Sequence, residues 1–425
     1  MSAFNKVIGY ETIKLELMRV CDMVHNREIY KKFGAKLPNG ILLYGKPGLG
    51  KTLMAKSLIE ECGITSYTVR KTKRDDFVEY ITKTFEEAKN NSPSIIFLDD
   101  MDKFANEDDR HRDADEYVAI QAGIDDVKGS DVLVIATANN VLKLPDSLYR
   151  SGRFDIKIEV CTPNEDDCIN IIKHYLSDKK VSDDVDAEDV AKMMGFGSCA
   201  ELESILNEAA ANAAFQRKEL IDMKSIVDAI LRTEYNAPDS FTKVSDEDIR
   251  KIAIHEAGHL VICETLQPST VSLASVRRTG RNNTGGFVRR STRLNKTAFH
   301  ILTSLGGKAA YEMYYGEIAD GCEDDMRRAA NELRGEISCK GSCGFAMFNV
   351  SRSVQFPDAS ESLAARIESV VQAELEKYMM KARQILLLNR DFLENTINEL
   401  IVKETLLPSD IKRIREKSKV VSVNV

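Results

Sequence analysis

The sequence predicts an α/β domain built on a doubly wound parallel sheet, followed by a mainly α-helical second half. Three observations carry this. Short apolar runs alternate with helix-like segments over the first 160 residues. A glycine-rich loop, Gly45-Lys46-Pro47-Gly48-Leu49-Gly50-Lys51-Thr52, sits between one such run and a helix. From about residue 162 onward the apolar periodicity turns helical. The runs are Ile41-Leu42-Leu43-Tyr44, Ser94-Ile95-Ile96-Phe97-Leu98 and Val132-Leu133-Val134-Ile135-Ala136. Each is short, apolar or β-branched and bounded by polar residues or glycine, which suits strands buried on both faces of a sheet. Segments 51–61 and 76–89 read as helices between them. That order belongs to a doubly wound domain.

Segment 200–216 carries apolar residues at 202, 205, 206, 209 and 210, a face of period near 3.6. It marks a small helical subdomain. Pro238 and the polar residues around it mark a linker. The expected division is an α/β subdomain over 1–160, a helical lid over 161–235, a linker over 236–247 and a second domain over 248–425. In the last, 246–266 reads as a helix, 270–290 as two short strands around a polar turn, and 360–389 as a long helix. Pro408 opens a short closing helix.

Composition excludes several classes. The 425 residues include 67 acidic and 59 basic side chains, for a net charge of -8. Nucleic-acid binding is driven by neutralising phosphates with basic side chains, so no nucleic-acid partner is expected. No apolar run approaches the ~20 residues that cross a bilayer, and no secretory leader is visible. Nine scattered cysteines suit thiols in a reducing compartment, and the cytoplasm is the expected location.

The glycine-rich loop fits G-x-x-x-x-G-K-[ST] in the strand-to-helix context that the motif requires. Its glycines let backbone N–H groups curl around phosphates, and the following helix N-terminus adds partial positive charge. Lys51 is expected at the β- and γ-phosphates of ATP, and Thr52 on Mg²⁺. Phe97-Leu98 ends in Asp99-Asp100. Asp99 is placed to hold Mg²⁺ through water, and Asp100 to orient or activate the attacking water. Asn139, at the end of the third run, is expected to hold that same water. Arg150 and Arg153 follow in Arg-x-x-Arg spacing, which by itself also suits surface charges.

His255-Glu256-Ala257-Gly258-His259 fits H-E-x-x-H on a helix. Spacing i, i+4 puts both imidazoles on one face, one turn apart, where they can share a Zn²⁺ ion. Glu256 sits beside them as candidate general base. A third protein ligand is required. Spacing leaves Glu312, Glu317, Asp320, Glu323, Asp324 and Asp325 open for it.

The phosphate loop, strand-end acids, strand-end Asn and paired arginines, in that order, resemble an AAA ATPase. With H-E-x-x-H added, the chain resembles the FtsH family of ATP-dependent zinc metalloproteases almost end to end. Phe4-Asn5-Lys6-Val7-Ile8-Gly9 resembles the family's opening motif, which implies that Ile8 and Gly9 lie near the adenine. Segments 195–202 and 206–210 resemble its lid helices, 304–312 the helix after its substrate strand, and 403–411 its closing motif. Gly321-Cys322-Glu323-Asp324-Asp325 resembles the segment carrying the third zinc ligand, which selects Asp325. The resemblance implies an AAA P-loop domain with a helical lid and a mainly α-helical zinc peptidase domain. It further implies a hexameric ring, arginines acting on a neighbour's nucleotide, and protein substrates. Gly285-Gly286-Phe287-Val288 would bind substrate as an edge strand.

Three departures stand out. The chain begins almost at the ATPase module, where the family has a transmembrane region, so a soluble protein with no transmembrane anchor is expected. The family's aromatic–aliphatic–Gly pore motif has no match in 70–80, where Phe77 is expected to pack in a helix; weak threading and loosely folded or unfolded substrates follow. Two other functions stay open: a nucleotide-switched ring scaffold, and a zinc peptidase for unfolded chains that uses ATP only for assembly. Lastly, Asp100 stands where the family usually has Glu, one methylene longer. Misplacing the water by ~1 Å can cost on the order of 100-fold, so ATP turnover should be slow and Asp100→Glu should raise it. Phosphate release at the rate of ordinary family members, with no gain from Asp100→Glu, would refute this.

Overall fold

The computed structural model describes residues 2–71, 76–105, 114–150, 152–195, 197–237, 245–278, 285–317, 321–344 and 361–423. Most of the expected linker (238–244), part of the candidate pore segment (72–75), the turn at 279–284 and Asp320 lie outside them. The chain divides into two compact units, Met1–Lys179 with Phe196–Asn207, and Lys180–Gly195 with Glu208–Val425.

The first unit begins with helices α1 (Glu11–His25) and α2 (Arg27–Lys32). Strand β1 (Gly40–Tyr44) then leads through the phosphate loop into α3 (Lys51–Cys62). Next come β2 (Thr65–Arg70), α4 (Phe77–Asn90), β3 (Ser94–Asp99), α5 (Ala114–Asp126) and β4 (Val132–Ala138). Helix α6 (Asp146–Tyr149), β5 (Ile156–Glu159) and α7 (Glu165–Leu176) follow. The sheet is parallel in the order β2-β3-β4-β1-β5. Strands β3 and β4 are buried throughout, as their unbroken apolar sequences require. Strand β4 runs between β1 and β3, so the phosphate loop and the Asp99 strand end are not carried by adjacent strands. Strands β2 and β5 carry no unbroken apolar run: Thr65–Arg70 is largely polar and Ile156–Glu159 is short and half charged. Phe77 is buried at the start of α4, packed edge-on against Phe104 with ring centres 5.6 Å apart.

Helices α8 (Ala187–Met194), α9 (Cys199–Phe215) and α10 (Met223–Tyr235) follow, α9 carrying the chain from the first unit into the second. The second unit continues with α11 (Asp246–Leu266), β6 (Val271–Arg278), β7 (Gly285–Arg290) and α12 (Thr297–Tyr315). It closes with α13 (Glu323–Lys340), α14 (Glu361–Leu388), α15 (Arg390–Lys403), β8 (Thr405–Leu406) and α16 (Pro408–Lys417). Strands β7 and β8 both pair antiparallel to β6, so β7 is an edge. The Glu264 carboxylate accepts from the backbone N–H groups of Ser269, Thr270 and Val271 at 2.8–2.9 Å, fixing the turn from α11 into β6. Among the described residues, no helix is long and apolar enough to cross a membrane.

Helices α11 and α12 cross in near contact. A Cβ on Gly258 would fall 2.3 Å from the Gly306 carbonyl oxygen, and one on Gly306 would fall 2.6 Å from that of Gly258. Around the crossing pack Ile254, Ala257, Leu260, Leu302 and Leu305. Gly258→Ala should therefore force the helices apart and cost about 1–3 kcal/mol or more. Thermal or urea denaturation of the variant beside the parent protein measures it.

Candidate functional site

Helix α11 puts His255, Glu256 and His259 on one side, and α13 brings Asp325 to them across 70 residues of sequence. Nε2 of His255 and Nε2 of His259 are 3.0 Å apart, and each is 3.2 Å from Asp325 Oδ2. Of the five described acids among those left open by spacing, Asp325 is the one that meets the histidines, in the only such cluster found among the described residues. His259 Nδ1–H donates to the Thr303 carbonyl at 2.6 Å, which aims Nε2 at the cluster. The second oxygen of Asp325 faces Arg328 Nη1 at 3.6 Å.

Two imidazoles and a carboxylate, with a fourth position left open, suit a catalytic divalent metal such as zinc. The space around them fits as well. A Cβ on Gly307 of α12 would lie 2.5 Å from both His255 Cε1 and His259 Nε2. Glycine there gives the rings their place.

Electrostatics separates the two carboxyls of the centre. Burial pushes Glu256 up to about 8. Burial would raise Asp325 too, but hydrogen bonds from His255 and His259 outweigh it and hold Asp325 far below the carboxylate range. Burial lowers His255. Burial would also lower His259, yet its hydrogen bond to Asp325 prevails and takes it up to about 9. A groove of about 1860 Å³ opens onto the centre, bordered by Gly285 and Gly286 of β7. Gly286 has φ +91, and a Cβ there would lie 2.8 Å from Glu256 Oε1.

In the first unit the structure gathers most of the predicted nucleotide residues at the C-terminal end of the sheet. Gly45, Gly48 and Gly50 all have positive φ, and Gly45 passes so close to Val160 that a Cβ would lie 2.2 Å from its carbonyl oxygen. Lys51 Nζ donates to the Gly45 and Lys46 carbonyls at 2.8 and 2.6 Å, within the loop that Pro47 and Leu49 complete. Thr52 Oγ1 donates to Asp99 Oδ1 at 3.0 Å. Asn139 Nδ2 donates to Asp100 Oδ1 at 3.0 Å. Asp100 would be raised by burial, but Lys103 and then Asn139 hold it below its usual value. Ile8 and Gly9 precede Tyr10, whose hydroxyl stands 3.6 Å from Cys199 Sγ. The next residue, Ala200, donates its N–H to the Gly48 carbonyl at 3.1 Å, which ties the opening segment to the phosphate loop.

Arg150 and Arg153 are not brought to that loop. Arg153 N–H donates to the Arg150 carbonyl, and Asp155 N–H to that of Gly40, the first residue of β1. The loop leaves from the other end of β1, roughly 13 Å away at ~3.3 Å per residue. Arg153 binds Asp125 through Nε (3.1 Å) and Nη2 (2.6 Å), while Arg150 is exposed.

Several residues escaped sequence reasoning. Thr137 Oγ1 donates to Asp99 Oδ1 and accepts from the Asp100 N–H, and Asp102 accepts from the N–H groups of Asn139 and Asn140. Thr303 acts through its carbonyl, which every residue has, so no side-chain signal existed. The Gly306-Gly307 pair inside a helix was the one available hint of close packing.

A phosphate loop on a parallel sheet and a His-His-Asp centre on one chain define an ATPase joined to a metallopeptidase. Comparison with known proteins agrees. Residues 41–162 match the ATPase family associated with various cellular activities (AAA), and 242–414 match Peptidase family M41. Two ATP-dependent zinc metalloproteases of Symbiobacterium thermophilum, FtsH 3 and FtsH 2, are each 30% identical over 97% of this chain, which covers 71% and 74% of them. FtsH of Mycoplasma pneumoniae is 30% identical over 98% of this chain, covering 62% of that protein. The chain belongs to the FtsH family.

Two outcomes are expected at the metal centre. Gly307→Ala should weaken metal binding by about 10–100-fold, as loss of ligand support does, and Asp325→Ala should abolish it. Bound metal after dialysis, and competition with a chromogenic chelator, read both. Affinity should also rise with pH, by up to about tenfold per unit below the His259 value of about 9, because that proton must leave as metal enters.

Proposed function

We propose that this protein is an ATP-dependent zinc endopeptidase that degrades polypeptides. The observation that carries the reading is the convergence of His255, His259 and Asp325 beside a buried Glu256, next to an edge strand that opens with two glycines. The proposed ligands of Zn²⁺ are the two histidines and Asp325. The ion would act as a Lewis acid on the scissile carbonyl and would acidify water. Glu256 takes the proton from the attacking water and delivers it to the departing amine nitrogen. Its high proton affinity suits that transfer at neutral pH. A substrate strand adds to the free edge of β7, where Gly285 and Gly286 leave room for the Ile252 and Glu256 side chains beneath.

In the first unit, Gly45–Thr52 cradles the phosphates of ATP, Lys51 meets the β- and γ-phosphates, and Thr52 and Asp99 hold Mg²⁺. Asp100 and Asn139 hold the attacking water, and Ile8 and Gly9 border the adenine. Because Arg150 and Arg153 stand at the far end of β1 from their own loop, their role is in a neighbouring subunit, which requires a homo-oligomer; a hexameric ring is the form proposed. The functional division is 1–160 for the nucleotide subdomain, 161–235 for the lid, 236–247 for the linker and 248–425 for the peptidase. The described cysteines are free thiols, which supports a cytoplasmic setting.

Casein digestion tests the reading. Glu256→Gln should reduce cleavage at least about 100-fold, and a zinc chelator should abolish it. Lys51→Ala should abolish the ATP-stimulated part. Cleavage that ignores ATP and Lys51 would favour a peptidase that uses ATP only for assembly. No cleavage, with ATP-dependent oligomerisation seen by mass measurement, would favour a nucleotide-switched scaffold.

A further inference from the structure

Lys103 stands outside the residues assigned to nucleotide chemistry. It closes the 3-10 turn Met101–Lys103, directly after Asp100. In such a turn residues i and i+3 eclipse, so Lys103 lies over Asp100. Its Nζ is 2.6 Å from Asp100 Oδ2, while Oδ1 accepts from Asn139. Both carboxylate oxygens thus face donors. The backbone cannot turn the group away. Asp100 is in the left-handed region at φ 55, ψ 50, and its N–H is held by Thr137 Oγ1 at 2.9 Å. With a single methylene between Cα and carboxyl, reorientation is left to χ1 and χ2. The other nearby cations are directed elsewhere. Arg70 Nε faces Asp99 Oδ2 at 3.8 Å, and Lys51 is turned onto the Gly45 and Lys46 carbonyls.

We propose that Lys103 is a positioning residue that restrains ATP hydrolysis by holding Asp100 Oδ2 in an ion pair. The inference rests on the ATPase reading above. In that reaction the water oxygen bonds to the γ-phosphorus while the bond to the β,γ-bridging oxygen breaks. The water proton passes to the Asp100 carboxylate, and ADP and inorganic phosphate leave. Lys103 makes and breaks no bond in this step. It occupies the oxygen that would receive the proton and fixes the carboxylate toward the turn. An oxygen that already accepts a charge-assisted hydrogen bond is a weaker acceptor for a second donor. The Lys103 side chain is 58% exposed, so its hold is modest and its removal leaves the core untouched.

Steady-state ATP hydrolysis by the full chain tests this. Lys103→Ala should raise kcat about two- to fivefold, the range open to an exposed ion pair, with KM for ATP unchanged. Lys103→Arg should keep the parental kcat, because the pair survives. In an Asp100→Asn background Lys103→Ala should give no gain. If Lys51→Ala abolishes turnover but Lys103→Ala leaves kcat as it was, or shifts KM alone, the restraint is overturned and the ATPase reading stands. A gain that persists with Asp100→Asn also overturns it. If neither the parent nor Lys103→Ala hydrolyses ATP, both readings fall together.

Discussion

The close crossing of α11 and α12 is the constraint on which the metal centre depends. Gly258 and Gly306 remove the side chains that would hold two helices at the usual 8–10 Å. One residue further along α12, Gly307 lies directly under the two imidazoles. The same approach brings the Thr303 carbonyl within 2.6 Å of His259 Nδ1 and so holds the ring with Nε2 toward the centre. Packing and chemistry share one origin here. The two histidines are held rigidly because α11, which bears them, cannot separate from α12 without exposing an apolar core.

Within that rigid frame, two carboxyls a few ångströms from the same histidines acquire opposite character. Glu256 is buried, and burial outweighs the nearby His259 and Arg328 charges, so its proton affinity rises. Asp325 accepts from both histidines and remains ionised. Environments that push two acids apart in this way separate a proton carrier from a permanent anion. The proposed roles, base and ligand, need that separation. Neither residue type carries it alone; it comes from which face of which helix each occupies.

The nucleotide site is organised by a different device. Strand ends supply the acids, and the neighbouring strand end fixes them: Thr137 and Asn139 of the β4 end hold Asp99 and Asp100 of the β3 end. The left-handed backbone at Asp100 is the bend that makes this exchange possible. A site built at strand ends leaves its acids within reach of the residues that follow in the chain, so a single lysine in the next turn can alter one of them.

Much of both sites was legible in the sequence, because the motifs are local. A helix fixes the direction of i and i+4, so two histidines four apart declare a shared face without any knowledge of the fold. A Gly-rich loop between an apolar run and a helix likewise declares its backbone curl. The proposed third ligand was not legible from spacing, since 70 residues separate Asp325 from His255 and five other acids competed; resemblance to a family selected it. The insertion of β4 between β1 and β3, the Thr303 carbonyl, the clearance at Gly307 and the Lys103 contact were decided only in three dimensions. The physical reason is range. Backbone geometry acts over one turn and can be read from adjacent letters, whereas strand order and helix approach follow from the summed packing of residues far apart in the chain, which no single spacing records.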